Sequence, residues 1–148
     1  MEILPGAGVA LVKVGDQRAE VEGRIGGPVH GPSGKNVYDT APMLIVHYDP
    51  DDRVELVEIA YSGHGGEEVF FDGVQLTYRF MDEVVSELAA KGHTGTSSDI
   101  GFTFHAGFSV WSMGSLWALD LDPDADEEDE RSIVEGVSVA PYSYWDEG

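Results

Sequence analysis

The sequence predicts an α+β fold: two tandem helix-plus-three-strand repeats forming one antiparallel sheet with two helices on one face. Three observations predict it. Val54–Ala60 lies over Val134–Ala140 at a constant offset of 80 residues, and Val21 and Ile25 lie over Val84 and Leu88 at an offset of 63. Met43–Tyr48 lies over Phe108–Met113 at an offset of 65. In each stretch a helical spacing of apolar residues gives way to short runs of strand character. One such unit cannot hide its own sheet face, so two units side by side make a single core. Repeat 1 spans about 8–62 and repeat 2 about 69–145, with an acidic insertion at 114–131, all within a single domain, 1–148.

The elements follow in order. Gly8–Gly15 reads as a short strand or extended entry. Asp16 stands at an N-cap position, and Gln17–Ile25 reads as a helix ended by Gly26-Gly27-Pro28. After a loop rich in Gly, Pro and Ser come Val37–Thr40, Met43–Tyr48 and Val54–Tyr61. The turn Asp49-Pro50-Asp51-Asp52 makes the last two a hairpin. Val69-Phe70-Phe71 and Val74-Gln75-Leu76 lead into a helix over 81–91, with Val84, Val85 and Leu88 as its apolar face and Gly92 as its left-handed stop. Phe102-Thr103-Phe104, Phe108–Trp111 and Ile133–Ala140 complete the strands.

A chain of 148 residues buries roughly 70% of the surface its unfolded form exposes. It therefore needs no disulfide or metal staple, and it has no cysteine with which to build one. The 28 Asp and Glu against 8 Lys and Arg give a formal charge of −20. Such a charge repels phosphate backbones and predicts no nucleic-acid binding. No apolar run reaches the ~20 residues of a membrane span, and Met1–Pro5 has neither the basic nor the apolar region of a secretory signal. These features predict a cytoplasmic protein that does not engage a membrane.

The opening Leu4-Pro5-Gly6-Ala7-Gly8-Val9, with Val12-Lys13-Val14-Gly15-Asp16 and Glu20-Val21-Glu22-Gly23-Arg24-Ile25-Gly26-Gly27-Pro28, is similar to a bacterial pattern. It resembles the start of the small outer-membrane-assembly lipoproteins of the SmpA/OmlA type. A doubled copy of their helix-plus-sheet unit resembles the β-lactamase inhibitor protein, and uncharacterised bacterial cytoplasmic proteins share the opening. The resemblance covers about 25 residues for the motif. The signal, the anchor cysteine and the disulfides of those families are missing. What the resemblance implies is a non-catalytic protein-binding scaffold.

Asp120–Glu130 holds eight carboxylates in eleven residues. Asp120, Asp122, Asp124, Asp126 and Glu128 would fill positions 1, 3, 5, 7 and 9 of a calcium loop. Ala125 stands where glycine must turn the chain, and Arg131 where a bidentate glutamate belongs. A solvated loop, or a lure for a basic surface, fits the run better. His30, His47, His64, His93 and His105 form no His-x-x-x-His pair. His64 with Glu67 and Glu68, joined by His93 or His105, is the metal-site candidate, but these ligand types lack the spacing of a metal site, so no metal or cofactor is expected from this sequence. Gly31-Pro32-Ser33-Gly34-Lys35-Asn36 lacks the first glycine and the Ser/Thr of a phosphate loop, and no serine sits in a Gly-x-Ser-x-Gly elbow.

Eight of the fifteen aromatics follow residue 100. Phe102/Phe104 and Phe108/Val110 alternate as a buried face does. That leaves Trp111, Trp117, Tyr142, Tyr144 and Trp145 either as packing for the last strand or as an exposed patch that His47 could join. The sequence thus predicts a non-enzymatic protein-binding domain, a monomer or weak dimer. Its contact surface is Trp111, Trp117, Tyr142, Tyr144, Trp145 and His47 with Asp122, Asp124, Asp126 and Glu128. The narrower form is an inhibitor or toxin-immunity protein for a basic partner. The alternative is a ligand- or metal-binding pocket between the repeats, with hydrolytic activity.

Overall fold

The computed structural model describes residues 1–30, 35–40, 42–60, 67–114, 116–126, 128–129 and 131–146. A short ribbon of β1 (Ile3–Leu4) and β2 (Gly8–Val9) precedes α1 (Arg18–Ile25). Then come β3 (Lys35–Tyr38), β4 (Leu44–Tyr48) and β5 (Val54–Ala60). A second ribbon, β6 (Phe70–Phe71) with β7 (Val74–Gln75), leads to α2 (Met81–Ala90). The chain continues through β8 (Gly95–Ser97), β9 (Gly101–Phe104) and β10 (Phe108–Trp111). It ends with the one-turn α3 (Ala118–Leu121), β11 (Gly136–Val139) and the one-turn α4 (Ser143–Asp146).

The fold is sheet-dominated, which corrects the expectation of two helix-plus-three-strand repeats. Among the described residues, seven strands form one antiparallel sheet in the order β3-β4-β5-β11-β10-β9-β8, two further ribbons stand outside it, and the two longest helices have only 8 and 10 residues. The offset of 80 between Val54–Ala60 and Val134–Ala140 has another cause. The two segments are neighbours in the sheet, paired Val57↔Val139 and Ile59↔Val137, and bury the same face with the same alternation. Strand β8, Gly-Thr-Ser, carries no apolar residue and so no periodic signal.

Rows of paired residues form the core face of the sheet. One row is Tyr38, Leu44, Ile59, Val137, Val110 and Phe102; the next is Val46, Val57, Val139, Phe108 and Phe104. A register shift between His47 and Tyr48 lets Tyr48 and Val54 reach the same side. Val21 of α1 and Val84 and Leu88 of α2 pack into this cluster. Phe108 stacks on Phe104 with centroids 4.6 Å apart and meets Phe71 edge-on at 5.1 Å.

Asp16 does not cap α1. The cap is Gln17, whose N–H donates to Glu20 Oε1 at 3.3 Å, while Asp16 Oδ2 accepts from Lys13 N at 3.0 Å and from Arg24 Nη2 at 2.6 Å. Gly26 (φ 87°) and Gly92 (φ 92°) end the helices in backbone regions that favour glycine. Asp49 Oδ1 accepts from Asp51 N and Arg53 N, which fixes the β4–β5 turn. Between the strands, the Tyr48 hydroxyl donates to Tyr38 Oη (2.7 Å), which donates to Glu22 Oε2 (3.0 Å). Burial, the hydrogen bond with Tyr48 and the one to Glu22 push the Tyr38 hydroxyl far above the usual tyrosine range.

Phe108→Ala removes a fully buried ring from the middle of this stack. It is expected to cost about 3–5 kcal/mol of unfolding free energy in urea titrations, with the transition remaining cooperative.

Candidate functional site

Strand alternation sends a second set of side chains to the opposite face of the sheet. Ile45, Glu58, Ser138, Ser109, Thr103 and Thr96 lie in one row across six strands. His47 shares this face, opposite to the core-facing Tyr48, and its Nε2 lies 2.5 Å from Glu58 Oε1. Trp111 lies across Gly136, where any side chain would overlap the indole, and its Nε1 donates to Ser138 Oγ at 3.0 Å. The ring is half-buried on the sheet.

The C-terminal aromatics sit at the far end of β11. Tyr142 meets His105 edge-on with centroids 4.8 Å apart, and Tyr144 meets Trp145 the same way at 5.5 Å. Tyr144 is exposed and lines a shallow depression of about 300 Å³ with Val14, Arg53, Glu55 and Pro141. Burial, and then the charges of Glu55 and Glu58, raise its hydroxyl pKa. His47 and Glu58 belong to this end.

Trp117 and the acidic residues belong to the other end, on the connection from β10 to β11. The chain leaves β10 by donating Ser112 Oγ and Met113 N to the buried Glu135 carboxylate, at 2.9 and 3.1 Å. Phe80, Ala118 and Ile133 form a satellite core there, with Tyr78, Leu116, Leu121 and Ala125 packed against it. The carboxylates hold the backbone: Asp120 accepts from Trp117 N, Asp122 from Asp124 N, Asp126 from Glu128 N and Asp129 from Arg131 N, all within 3.0 Å.

Arg131 organises the segment. Its Nη2 reaches Asp129 Oδ2 at 2.7 Å and Asp122 Oδ2 at 3.3 Å, and the guanidinium lies 3.8 Å from the Phe80 ring centroid. Hydrogen bonds from the Arg131 side chain, then from its backbone N–H, hold the Asp129 carboxyl below the usual 3.8. Sequence reasoning treated Arg131 only as a misfit in a calcium loop. The available signal was that it is the only Lys or Arg after Lys91.

Around this frame Met113 (65% exposed), Trp117 (68%) and Leu119 (46%) stand out into solvent. A pocket of about 460 Å³ opens beside Trp117, which lines it with Ser112, Leu116, Glu128, Asp129 and Arg131. The structure therefore brings Trp117 together with Glu128, and with Asp122 through Arg131. Asp124 and Asp126 are exposed on the same segment. At the other end of the sheet Tyr144 meets Trp145, Tyr142 lies against His105 and His47 meets Glu58, with Trp111 on the face between.

The metal candidates are held by different partners. Glu67 lies 3.6 Å from the Met1 amine, His93 Nε2 lies 3.1 Å from Asp72, and His105 Nδ1 lies 2.8 Å from Thr94 Oγ1. His30 forms an isolated bridge to Val37. His64 and residues 31–34 of the phosphate-loop candidate lie outside the described residues, while Lys35 and Asn36 belong to β3. Among the described residues, no group of three or more His, Cys, Asp or Glu is placed to hold a metal ion, and no helix is long and apolar enough to cross a membrane.

Gly136→Ala is expected to lift the Trp111 indole off the sheet, seen as a red shift of tryptophan emission, and to cost less stability in a Trp111→Ala background than in the wild type, measured by urea titration. For Arg131, the sign follows from the lowered carboxyl of Asp129. The clamp contributes above the unfolded pKa and is lost as pH falls through the lower folded one. Carboxyl NMR should give an Asp129 midpoint below 3.8 that returns toward 3.8 in Arg131→Gln.

No family model matches the chain, and neither a curated protein nor a solved structure matches it.

Proposed function

We propose that this chain is a non-enzymatic recognition domain for a basic protein, an inhibitor or immunity protein being the narrower form. The observation that carries the reading is the apolar group Met113, Trp117 and Leu119. It is exposed on the segment that also displays Asp122, Asp124, Asp126 and Glu128. A large flat aromatic beside a pocket, on a segment rich in carboxylates, is the composition of an interface anchor with a charged rim. The charge of −20 speeds encounter with a cationic partner, and the apolar side chains supply short-range affinity. Arg131 ties Asp122 to Asp129, and Leu121 and Ala125 pack on the satellite core, so less ordering entropy opposes binding at these residues.

Tyr142, Tyr144, Trp145, His47 and Trp111 form a second surface in this proposal, for which Tyr144 is the exposed element. The partner-binding role rests first on the Trp117 end.

The test is a lysate pull-down with the wild-type chain, Trp117→Ala, and a neutralised bait carrying Asp122→Asn, Asp124→Asn, Asp126→Asn and Glu128→Gln. A single basic protein should be retained in stoichiometric amount by the wild type. It should be released at high ionic strength and weakened roughly tenfold or more by Trp117→Ala. Equal retention by all three baits, or none by any, overturns the reading.

A further inference from the structure

The two edges of the main sheet are treated differently. At β3, Val29 N donates to Val37 C=O at 2.8 Å and Val37 N donates to His30 C=O at 3.0 Å, so residues 29 and 30 cover the outer side, and Lys35 guards it. At β8 nothing among the described residues pairs with the outer side. The ladder fixes which groups are open. His105 N donates to Thr94 C=O and Ser98 N to Gly101 C=O, so residues 94, 96 and 98 turn toward β9. Gly95 and Ser97 turn their N–H and C=O groups outward. Neither a charge, a proline nor a bulge lies within Gly95-Thr96-Ser97.

A groove of about 480 Å³ runs beside this edge, between it and α2, lined by Met81, Val85, Ser97, Gly101, Phe102 and Arg131. Ser97, on the helix-facing side, is too small to cover Phe102 and Val85 beside it. Asp82 lines it and Asp99 stands exposed in the β8–β9 turn. Its one cation, Arg131, is already engaged by Asp122 and Asp129. An open edge usually invites a second copy, but two chains of −20 repel.

We propose that β8 accepts an added strand from an extended, cationic segment of a partner protein, whose alternate side chains enter the groove over Met81, Val85 and Phe102. Backbone hydrogen bonds to Gly95 and Ser97 would supply affinity, and the groove and its acidic rim would supply selectivity. Only the charge of the partner rests on the function proposed above; the strand addition stands on the edge and the groove.

The test is selection of a displayed random dodecapeptide library on the intact protein, followed by binding measurements on the enriched peptides. Enriched peptides should alternate apolar residues with Lys or Arg. Affinity should fall roughly tenfold or more, the scale of one or two backbone hydrogen bonds, on N-methylation of the alternate amides that face β8, and not on methylation of the others. Ser97→Pro should have the same effect with the melting temperature unchanged, because it removes an N–H that faces solvent. No enrichment, enrichment of acidic peptides, a self-paired dimer, or indifference to methylation register overturns the proposal. The two readings separate cleanly. Binding lost in Trp117→Ala but kept in Ser97→Pro sinks the strand addition alone, and the converse, with the pull-down unaffected by Trp117→Ala, sinks the Trp117 surface alone.

Discussion

The pairing of β5 with β11 is the constraint on which the rest of the molecule depends. It joins β3-β4-β5 to β10-β9-β8, and its residues are about eighty positions apart in the chain. Closing a loop of that length is entropically costly, though the cost grows only slowly with length. Four register pairs along the seam offset it, with Val57, Ile59, Val137 and Val139 all fully buried. Each group of strands on its own would expose these valines and isoleucine at an edge. The seam also sets the opposite face, since it places Glu58 beside Ser138 and so aligns the row that runs from Ile45 to Thr96.

Charge and apolar surface have divided roles. Of the few cations, Arg18 pairs with Asp52, Arg24 with Asp16, Arg79 with Glu83 and Glu87, and Arg131 with Asp122 and Asp129. Exposed pairs of this kind contribute little each to stability. Their value is positional: each ties a turn or loop to a neighbouring element. Around Arg131, four aspartates spend hydrogen-bonding capacity on backbone N–H groups. Asp124 and Glu128 are exposed on the same segment, Glu128 beside Trp117.

Much of the fold was legible in the sequence because it is written in local patterns. The β4–β5 hairpin follows from Asp49-Pro50-Asp51-Asp52, and the end of α2 from Gly92. The opposed directions of His47 and Tyr48, and the burial of Phe104 and Phe108, follow from alternation alone. The repeat was misread because strands that share a face share a pattern, whether or not they derive from copies of one unit. The segments of the β6–β7 ribbon were legible as Val69-Phe70-Phe71 and Val74-Gln75-Leu76, whereas strand β8 was hidden by its brevity and by Gly-Thr-Ser, which carries no apolar signal. The candidate site was legible as a set of residue types but not as a place. Nothing local tells that Tyr144 and Trp117 lie beyond opposite ends of β11, or that Arg131 reaches Phe80 across fifty residues.

Trp111 and Gly136 also bear on how this sequence can change. The indole occupies the space a Cβ at position 136 would need, so neither residue can be judged alone. While tryptophan stands at 111, every replacement of Gly136 is penalised; once a small residue stands there, position 136 is released to accept the β-branched side chains its neighbours carry. The order of substitution therefore matters, and relatives should divide into two groups, those with Trp and Gly at these positions and those with neither, with few intermediates between them.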